Sequence, residues 1–388
     1  MGIISTIEAS CRDCYKCVRS CPVKAIRVTG GHAEVVESRC IADGHCVLVC
    51  PQQAKKVADG KGLVRDFLLA KQKLAVSLAP SFVALDDFPD PGQLVSALRK
   101  LGFDYVTETA EAAELVAREH RRLMVEQEEV PVIGSCCPVV VNLIERYYPQ
   151  LIKYLAPVVS PMIAHGRLLK AVYGADLKVV FIGPCIGKKD EYRRTELQGS
   201  IDAVLTFQEL RAMLAEEGID PARERSESFD RSGGTARVFP TPGGLARTAR
   251  LNTDLLAEEV LTIDGLEAVI DFLVRFEEEK GGLRLVELLA CRGGCLMGPG
   301  LESNLGLYNR RQRLLSYARR HREAVDQPVP GAEGPAERNA PKVPSLLTTY
   351  AKRKLNTPTP SEEAIRRVLS QTGKTKPEDE LNCGACGY

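Results

Sequence analysis

Cysteine is the residue whose spacing in this sequence points most clearly to chemistry. The chain has 14 cysteines, at positions 11, 14, 17, 21, 40, 46 and 50, then 136 and 137, then 185, then 291 and 295, then 383 and 386. Disulfide frameworks are typical of small secreted domains. The N-terminus MGIISTIEAS lacks the basic start of a signal peptide. Clustered cysteines in such a chain favour metal or iron–sulfur ligation in a reducing, cytoplasmic compartment.

Composition is that of an ordinary globular protein and argues against two classes of partner. Apolar residues make up 44% and charged residues 27% of 388 residues, enough for two or three domains. The net charge of +1 gives no electrostatic attraction for nucleic acid. No run of about 18 apolar residues predicts a membrane span. We therefore expect neither nucleic acid nor membrane as a partner.

The first cysteine run has the spacing of a bacterial ferredoxin. The stretch CRDCYKCVRSCP follows the pattern C-x2-C-x2-C-x3-C-P, in which the fourth cysteine of a two-cluster protein ligates the other cluster. A structural zinc site is the alternative, although zinc knuckles seldom show this run followed by proline. The sequence therefore predicts a ferredoxin-like domain with two iron–sulfur clusters over residues 1–65.

The second run, CIADGHCVLVCP, departs from that pattern because Asp43 stands where a cysteine is expected. A carboxylate is a harder and more labile iron ligand than a thiolate. The second cluster is then either a four-iron cluster with an oxygen ligand or a three-iron cluster. His45 is a less favoured substitute, and a solvated loop role for Asp43 is a further alternative. Cluster one is predicted to take Cys11, Cys14, Cys17 and Cys50, and cluster two Cys21, Cys40, Cys46 and Asp43.

Four short apolar runs predict buried strands: KLAVSLAP (73–80), VPVIGSC (130–136), KVVFIGPC (178–185) and RLVELLAC (284–291). Helical patterns lie between them, so the predicted class is α/β with parallel sheets. Ligands bind at the carboxyl ends of parallel strands, and three of these runs end at a cysteine. Four thiolates, from Cys137, Cys185, Cys291 and Cys295, would complete the shell of a [4Fe–4S] cubane.

Three motifs make a family resemblance specific. GSCCP (134–138), PCIGKKDE (184–191) and ELLACRGGC (287–295) resemble the signature motifs of iron-only, [FeFe] hydrogenases, in the same order. The resemblance covers roughly residues 70–325, and the ferredoxin-like domain is similar to that of the same family. It implies a two-lobed α/β catalytic domain over residues 66–325.

The resemblance implies an H-cluster, in which the cubane is linked to a two-iron subcluster carrying CO, cyanide and a dithiolate with a bridgehead amine (an azadithiolate). Cys137, Cys185, Cys291 and Cys295 match the cubane ligands, and Cys295 the ligand that bridges to the subcluster. Lys188 and Ser81 match residues that hydrogen-bond cyanide, as a buried anion requires. Pro80, Ser160 and Pro161 match residues around the cofactor.

The resemblance assigns proton transfer to a second set of residues. Cys136 matches the free thiol that exchanges protons with the bridgehead amine, and a thiol pKa of about 8.5 suits that role. Glu111 and Glu114, spaced i and i+3 on one helix face, match two relay glutamates, with Arg118 at the exit. A solvated helix face is the alternative interpretation of the glutamates.

Several positions depart from the family pattern. The relay serine falls on Ala156, which has no hydroxyl. Met162, Gly183, Leu289 and Val140 replace a glutamine, two methionines and a tryptophan. Residues around the ligands tune potential and proton access. We therefore expect a divergent, sensory-type member with ordinary cluster assembly and low turnover.

The end of the chain is predicted to be separate from the catalytic domain. Residues 326–345, rich in Pro, Gly and Ala, read as a linker. Residues 346–388 are predicted as a helix followed by the start of a truncated iron–sulfur domain, where Cys383 and Cys386 would ligate an accessory [4Fe–4S] cluster. A free tail with two surface thiols is the alternative.

The predicted activity is the reversible conversion of H2 into two protons and two electrons, used in hydrogen sensing. The implied partners are H2, protons, maturation enzymes, and a redox partner such as a ferredoxin or a signalling domain outside this sequence. The alternative is a non-catalytic iron–sulfur assembly or electron-transfer protein that retains only the cubane. Such a protein would have no use for Cys136, Lys188, Ser81, Glu111 and Glu114 together.

Overall fold

A computed structural model describes residues 2–127, 130–254, 259–325, 344–353, 355 and 360–379. Its N-terminal part has two antiparallel strand pairs, β1 with β4 and β2 with β3, and two one-turn helices that contact each other. Each helix carries a cysteine of one of the two runs. The elements are β1 Ile4–Thr6, α1 Lys16–Ser20, β2 Ile26–Thr29, β3 His32–Val35, α2 His45–Val49 and β4 Lys55–Val57.

Two parallel sheets follow, which confirms the predicted α/β class. One has the order β6-β5-β8-β9 and the other the order β10-β11-β7. Every residue of β5 and β11 is buried, as expected for strands covered on both faces. The strands are β5 Leu74–Leu78, β6 Tyr105–Glu108, β7 Val132–Ile133, β8 Lys178–Gly183, β9 Ala203–Thr206, β10 Val260–Asp264 and β11 Leu285–Leu289.

Helices connect and cover these strands. Each of the four predicted apolar runs contains a strand, and each amphipathic pattern between them contains a helix. The helices are α3 Lys61–Leu69, α4 Pro91–Leu101, α5 Ala110–Glu126, α6 Pro138–Tyr147, α7 Pro161–Tyr173, α8 Lys188–Glu191, α9 Phe207–Glu216, α10 Gly244–Thr248, α11 Leu266–Glu279, α12 Leu307–Val325 and α13 Glu362–Gln371.

The ferredoxin-like part shares a hydrophobic core with the smaller sheet. Ile4 and Val18 belong to the same buried cluster as Val140 and Val286. Gly44, at φ +77°, begins α2, and a Cβ on it would lie 2.6 Å from the Ile186 side chain. Only glycine allows the second cysteine run to approach the catalytic domain this closely.

The described residues contain no helix that is both long enough and apolar enough to cross a membrane. The helix predicted near the end of the chain is α13. Most of the predicted linker, as well as Cys383 and Cys386, lies outside the described residues.

Candidate active site

A single cavity lies where strands of both sheets end. Its lining includes the four predicted cubane ligands, Cys137, Cys185, Cys291 and Cys295. The cavity has a water-accessible volume of about 110 Å³. One water molecule needs only about 10–15 Å³ on that measure, so the space suits a larger group. Each cysteine keeps some accessible surface because it faces this cavity.

Local backbone geometry explains how the cysteines reach one place. Cys137 is the N-cap of α6, whose first residue is Pro138, so its thiol lies at the positive end of a helix. Gly293 and Gly294 have φ values of +84° and +74°, which let the chain turn tightly between two ligand positions. A Cβ at Gly294 would lie 2.2 Å from the Pro240 carbonyl oxygen.

The donor set fits an iron–sulfur cluster. Burial and repulsion from neighbouring thiolates raise the pKa of Cys185 to about 11 and that of Cys295 to about 12. If all four bind as thiolates, their charge at one buried point would need the positive charge of a metal centre to offset it. Among the described residues, no three His, Cys, Asp or Glu side chains are close enough to hold a single metal ion. In a cubane each thiolate binds a different iron, so its ligands stand farther apart.

Cys136 and Lys188 line the same cavity. Lys188 Nζ donates hydrogen bonds to Glu191 Oε2 at 2.7 Å and to the Cys136 carbonyl oxygen at 3.3 Å. Burial raises the pKa of the Cys136 thiol well above its ordinary value, although Lys188 opposes the shift. Burial acts to lower the pKa of Lys188, but the Glu191 carboxylate stabilises the charged ammonium, and the net shift is upward. A lysine ammonium has three donors, so one remains for a ligand in the cavity.

Two buried serine hydroxyls have no hydrogen-bond partner among the described residues. Ser81 and Ser160 have no solvent exposure, and neither Oγ has a hydrogen-bond partner among the described residues. Ser81 lines the cavity together with Pro80 and Pro161, while Ser160 is the N-cap of α7 just behind the wall. Unpaired buried hydroxyls are costly and often mark a ligand site. Apolar walls with a few donors suit a two-iron unit bearing CO and cyanide.

Comparison with known proteins agrees with this geometry. The family model "Iron only hydrogenase large subunit, C-terminal domain" matches residues 72–299, well over half of the chain, and a "4Fe-4S dicluster domain" matches residues 3–51. The chain belongs to the iron-only hydrogenase family. The periplasmic [Fe] hydrogenase large subunit of Nitratidesulfovibrio vulgaris is 29% identical over 359 residues, covering 76% of this chain and 85% of that protein.

Two further relatives match smaller parts of the chain, and a solved structure shows the fold. Iron hydrogenase 1 of Clostridium pasteurianum is 30% identical over 54% of this chain and 45% of its own length. The cytosolic Fe-S cluster assembly factor NAR1 of Yarrowia lipolytica is 30% identical over 31% of this chain and 28% of its own length. An [FeFe]-hydrogenase structure from Chlamydomonas reinhardtii matches with a TM-score of 0.58 and 21% identity, covering 76% of this chain and all of that one.

The ferredoxin-like cysteines fall into two groups in the structure, and the cysteine spacing predicts a cluster at each group. Cys11, Cys14, Cys17 and Cys50 line one small pocket, which Lys55 also lines. The second group lies deeper. Burial raises the pKa of Cys21, Cys40 and Cys46, and the Asp43 carboxylate adds to the rise at all three. Asp43 is therefore close to the three thiols that lack a fourth cysteine.

Asp43 is half-buried and its Oδ2 is shielded from solvent, which argues against a solvated loop role. Burial raises its pKa, and its Oδ2 has no hydrogen-bond partner among the described residues. Asp43 also lines the active-site cavity and contributes to the raised pKa of Cys291. The predicted site of the second cluster therefore adjoins the cavity that Cys291 lines. His45 instead lines an outer groove, which Asp43 also borders.

The two predicted relay glutamates lie behind the cavity wall formed by their neighbours Ala110 and Ala113. Glu111 accepts hydrogen bonds at 2.9 and 3.0 Å from Arg231 Nε. Glu114 accepts one at 3.2 Å from the Gly234 amide. The Arg118 side chain is exposed. The described contacts do not connect Glu111 to Glu114 through the buried Ala156, so the structure shows no relay along that route.

Sequence reasoning missed three polar groups near the cavity. Glu287 in β11 lines it and accepts hydrogen bonds from the Leu245 and Ala246 amides at 3.2 and 3.3 Å. Burial raises its pKa to about 7. The available sequence signal for Glu287 was that it is the single acidic residue in the apolar run RLVELLAC. The other two, Thr109 at the cavity and His165 behind it, had no motif to mark them.

Proposed function

We propose that this protein is a hydrogenase that interconverts H2 with two protons and two electrons at an H-cluster. The observation that carries the proposal is one cavity shared by the four cubane cysteines and by Cys136, Lys188 and Ser81. A cubane alone needs only its four thiolates. A second, ligand-bearing metal unit accounts for the additional thiol, ammonium and hydroxyl.

When bound, the two-iron subcluster with its azadithiolate supplies the place where the H–H bond is made or broken. Cys137, Cys185, Cys291 and Cys295 would hold the cubane, and the Lys188 ammonium and Ser81 hydroxyl would donate hydrogen bonds to cyanide. Cys136 gives and takes protons through its thiol. The apolar walls exclude water, which strengthens each of these polar contacts.

In this proposal the ferredoxin-like part would supply electrons through its clusters. Cys21, Cys40, Cys46 and Asp43 would hold the second cluster next to the active site, since Asp43 lies near these thiols and also lines the cavity. Cys11, Cys14, Cys17 and Cys50 would hold the first cluster, which a redox partner could reach because Cys14 is exposed. A ferredoxin or a signalling domain would be the redox partner, and Cys383 and Cys386 would begin a further [4Fe–4S] site. Dedicated maturation enzymes would insert the two-iron unit, and a cytoplasmic location suits these reduced thiols.

We further propose slow turnover and a role in sensing hydrogen. The ligand cysteines are all present, while residues around them differ from the family pattern. Met162 lines the cavity where a glutamine is usual, and Ala156 replaces the relay serine. Changes of this kind alter potential and proton access without preventing cluster binding. Hydrogen evolution by the wild-type protein at the rate of prototypical hydrogenases would contradict this part of the proposal.

The alternative is an iron–sulfur assembly or electron-transfer protein that lacks the two-iron unit. The similarity to the NAR1 assembly factor, over 31% of the chain, favours it. The hydrogenase relative from N. vulgaris spans far more of the chain. The presence of Cys136, Lys188 and Ser81 at the cavity also favours the hydrogenase.

The function is tested by loading the protein with iron, sulfide and the synthetic two-iron complex and measuring H2 production from a reduced dye. The wild type should produce H2, and Cys136→Ala should lose at least 100-fold while keeping its iron content. Lys188→Met should fail to retain the two-iron unit after washing.

Lys189→Met is the matched control for Lys188→Met. Lys189 is also buried and ion-paired, with Glu209 at 2.8 Å, but it does not line the cavity. Its loss should lower thermal stability and leave retention of the two-iron unit intact. No H2 production by wild-type protein that carries the full two-iron content would refute the catalytic proposal.

A further inference from the structure

The serine that would link the glutamates of this family is Ala156 here, so a hydroxyl is missing from the expected proton route. The described residues contain a different chain of polar side chains, which reaches the cavity at Thr109. It consists of Thr109, Ser77, His165 and Glu111, which come from the residue after β6, the neighbouring strand β5, and the helices α7 and α5. Apolar residues surround it.

Two of the three links between these side chains are within hydrogen-bond distance. Thr109 Oγ1 and Ser77 Oγ are 2.8 Å apart, and Ser77 Oγ is 2.8 Å from His165 Nδ1. His165 Nε2 has no hydrogen-bond partner among the described residues and lies 3.5 Å from Glu111 Oε2. That last gap exceeds a normal hydrogen bond. A small rotation of either side chain, or one water molecule, closes it.

The two ends of this series of polar side chains, Thr109 and Glu111, lie in different environments. Thr109 lines the active-site cavity, while Ser77 and His165 have no solvent exposure. Glu111 is 20% exposed and is paired with Arg231, which is 29% exposed. The chain therefore runs from the cavity through the interior to an ion pair that contacts solvent.

The charged groups around the imidazole are suited to transfer rather than to storage of a proton. Glu111 and Arg231 are the ionisable groups that act on His165. Burial lowers the pKa of His165, and the Glu111 carboxylate only partly offsets this, so the neutral ring predominates. Burial acts to raise the pKa of Glu111, but His165 and Arg231 stabilise its anion, and the net shift is downward. A neutral imidazole can accept a proton at one nitrogen while it releases one from the other.

We infer that Thr109, Ser77, His165 and Glu111 form the proton path between the cavity and solvent in this protein, in place of the serine route. In the outward direction, Thr109 Oγ1 takes a proton from the cavity and passes its own to Ser77. Ser77 passes its proton to His165 Nδ1, and the Nε2 proton moves to Glu111. One proton enters and one leaves, and the hydroxyl groups and the ring tautomer then return to their starting arrangement. This path deepens the proposed hydrogenase function and rests on it.

The first measurement does not depend on turnover. Histidine-selective ¹⁵N NMR of protein without the two-iron unit reports the tautomer of each of the five histidines, and His165→Phe identifies the relevant signal. We expect an Nε2–H tautomer with a hydrogen-bonded Nδ1, displaced by Ser77→Ala and by Glu111→Gln. A His165 signal that neither variant moves would overturn the path.

The second measurement uses protein loaded with the two-iron complex. Thr109→Val removes the hydroxyl at the cavity with little change in shape, and Thr107→Val is its matched control. Thr107 is equally buried, donates to the Val76 carbonyl oxygen at 2.5 Å and does not line the cavity. We expect Thr109→Val and His165→Phe to lower H2 oxidation at least ten-fold at neutral pH and to increase the solvent deuterium isotope effect. Thr107→Val should remain within two-fold of the wild type.

Infrared bands of CO and cyanide separate the two possible failures. Bands like those of the wild type, with oxidation rates within two-fold in Thr109→Val and His165→Phe, would overturn the path and leave the hydrogenase proposal standing. Absence of these bands from the loaded wild type would overturn the proposed function, and the path with it.

Discussion

Replacing Ser81 with alanine should have opposite effects on the empty and the loaded cavity. The Ser81 hydroxyl has no solvent exposure and no hydrogen-bond partner among the described residues. A buried hydroxyl without a partner costs about 1–3 kcal/mol. Ser81→Ala removes that cost, so protein that contains the cubane but lacks the two-iron unit should become more stable by about 1 kcal/mol. For a domain of this size, that corresponds to a rise in Tm of about 2–4 °C.

Ser77→Ala is the matched control. Ser77 is equally buried and lies four positions away, but its hydroxyl is bonded to Thr109 and His165. Its removal should lower Tm, because two polar groups lose a partner. Since cluster loss makes unfolding irreversible, all variants are compared by calorimetry at one scan rate.

In protein that contains the two-iron unit, Ser81→Ala should be unfavourable instead of stabilising. A hydrogen bond to a charged acceptor contributes about 1.5–3 kcal/mol, so loss of the Ser81 donor should weaken retention of the two-iron unit about 10- to 100-fold. Iron content after dialysis against a competing apo-hydrogenase measures this retention. Ser81→Ala could instead lower the Tm of protein without the two-iron unit as much as Ser77→Ala does. That result would mean that the Ser81 hydroxyl already has a hydrogen-bond partner, and it would refute its role as a free donor for the two-iron unit.

Three further predictions concern residues around the clusters. Asp43→Cys should change the electron paramagnetic resonance spectrum of the reduced protein, because a thiolate would replace the carboxylate at the second cluster; an unchanged spectrum would argue against ligation by Asp43. Ala156→Ser should raise H2 oxidation at least five-fold in a His165→Phe background by restoring a hydroxyl to the serine route; no gain there would mean that this route is closed for another reason. Burial raises the pKa of the Glu287 carboxyl from 4.5 to about 7. Between these pH values the folded protein binds one more proton than the unfolded protein does. The protonated carboxyl therefore contributes about 3 kcal/mol of stability at low pH, and this contribution is lost as pH rises from 4.5 to about 7. The Tm of the wild type relative to Glu287→Gln should therefore fall between pH 5 and pH 8, and a constant difference would contradict the pKa shift.

The strands and the convergence of four cysteines on one cavity were predictable from the sequence because their signals are local. Each of the apolar runs KLAVSLAP and KVVFIGPC is long enough to identify a buried strand, and a cysteine at the end of a parallel strand must lie at the ligand-binding edge. The spacing of the cysteine runs likewise predicted the division into two ferredoxin-like sites, because the spacing itself encodes which thiols can face one cluster.

The surroundings of the site were not predictable, because they depend on contacts between distant segments. Glu111 is separated by 120 positions from Arg231, and His165 by 88 positions from Ser77. Neither Arg231 nor His165 belongs to a motif, and a threonine such as Thr109 ordinarily reads as an N-cap. The position of Asp43 between two cluster sites also required the packing of Gly44 against Ile186, which no local pattern reveals.

The central claim is that the cavity binds a two-iron unit and uses it to react with H2. The most direct test is an infrared spectrum of protein reconstituted with iron, sulfide and the synthetic two-iron complex, recorded after washing under argon and then under H2. The account predicts sharp CO and cyanide bands that shift when H2 is admitted. A full complement of cubanes with no such bands would contradict it and favour the assembly or electron-transfer function.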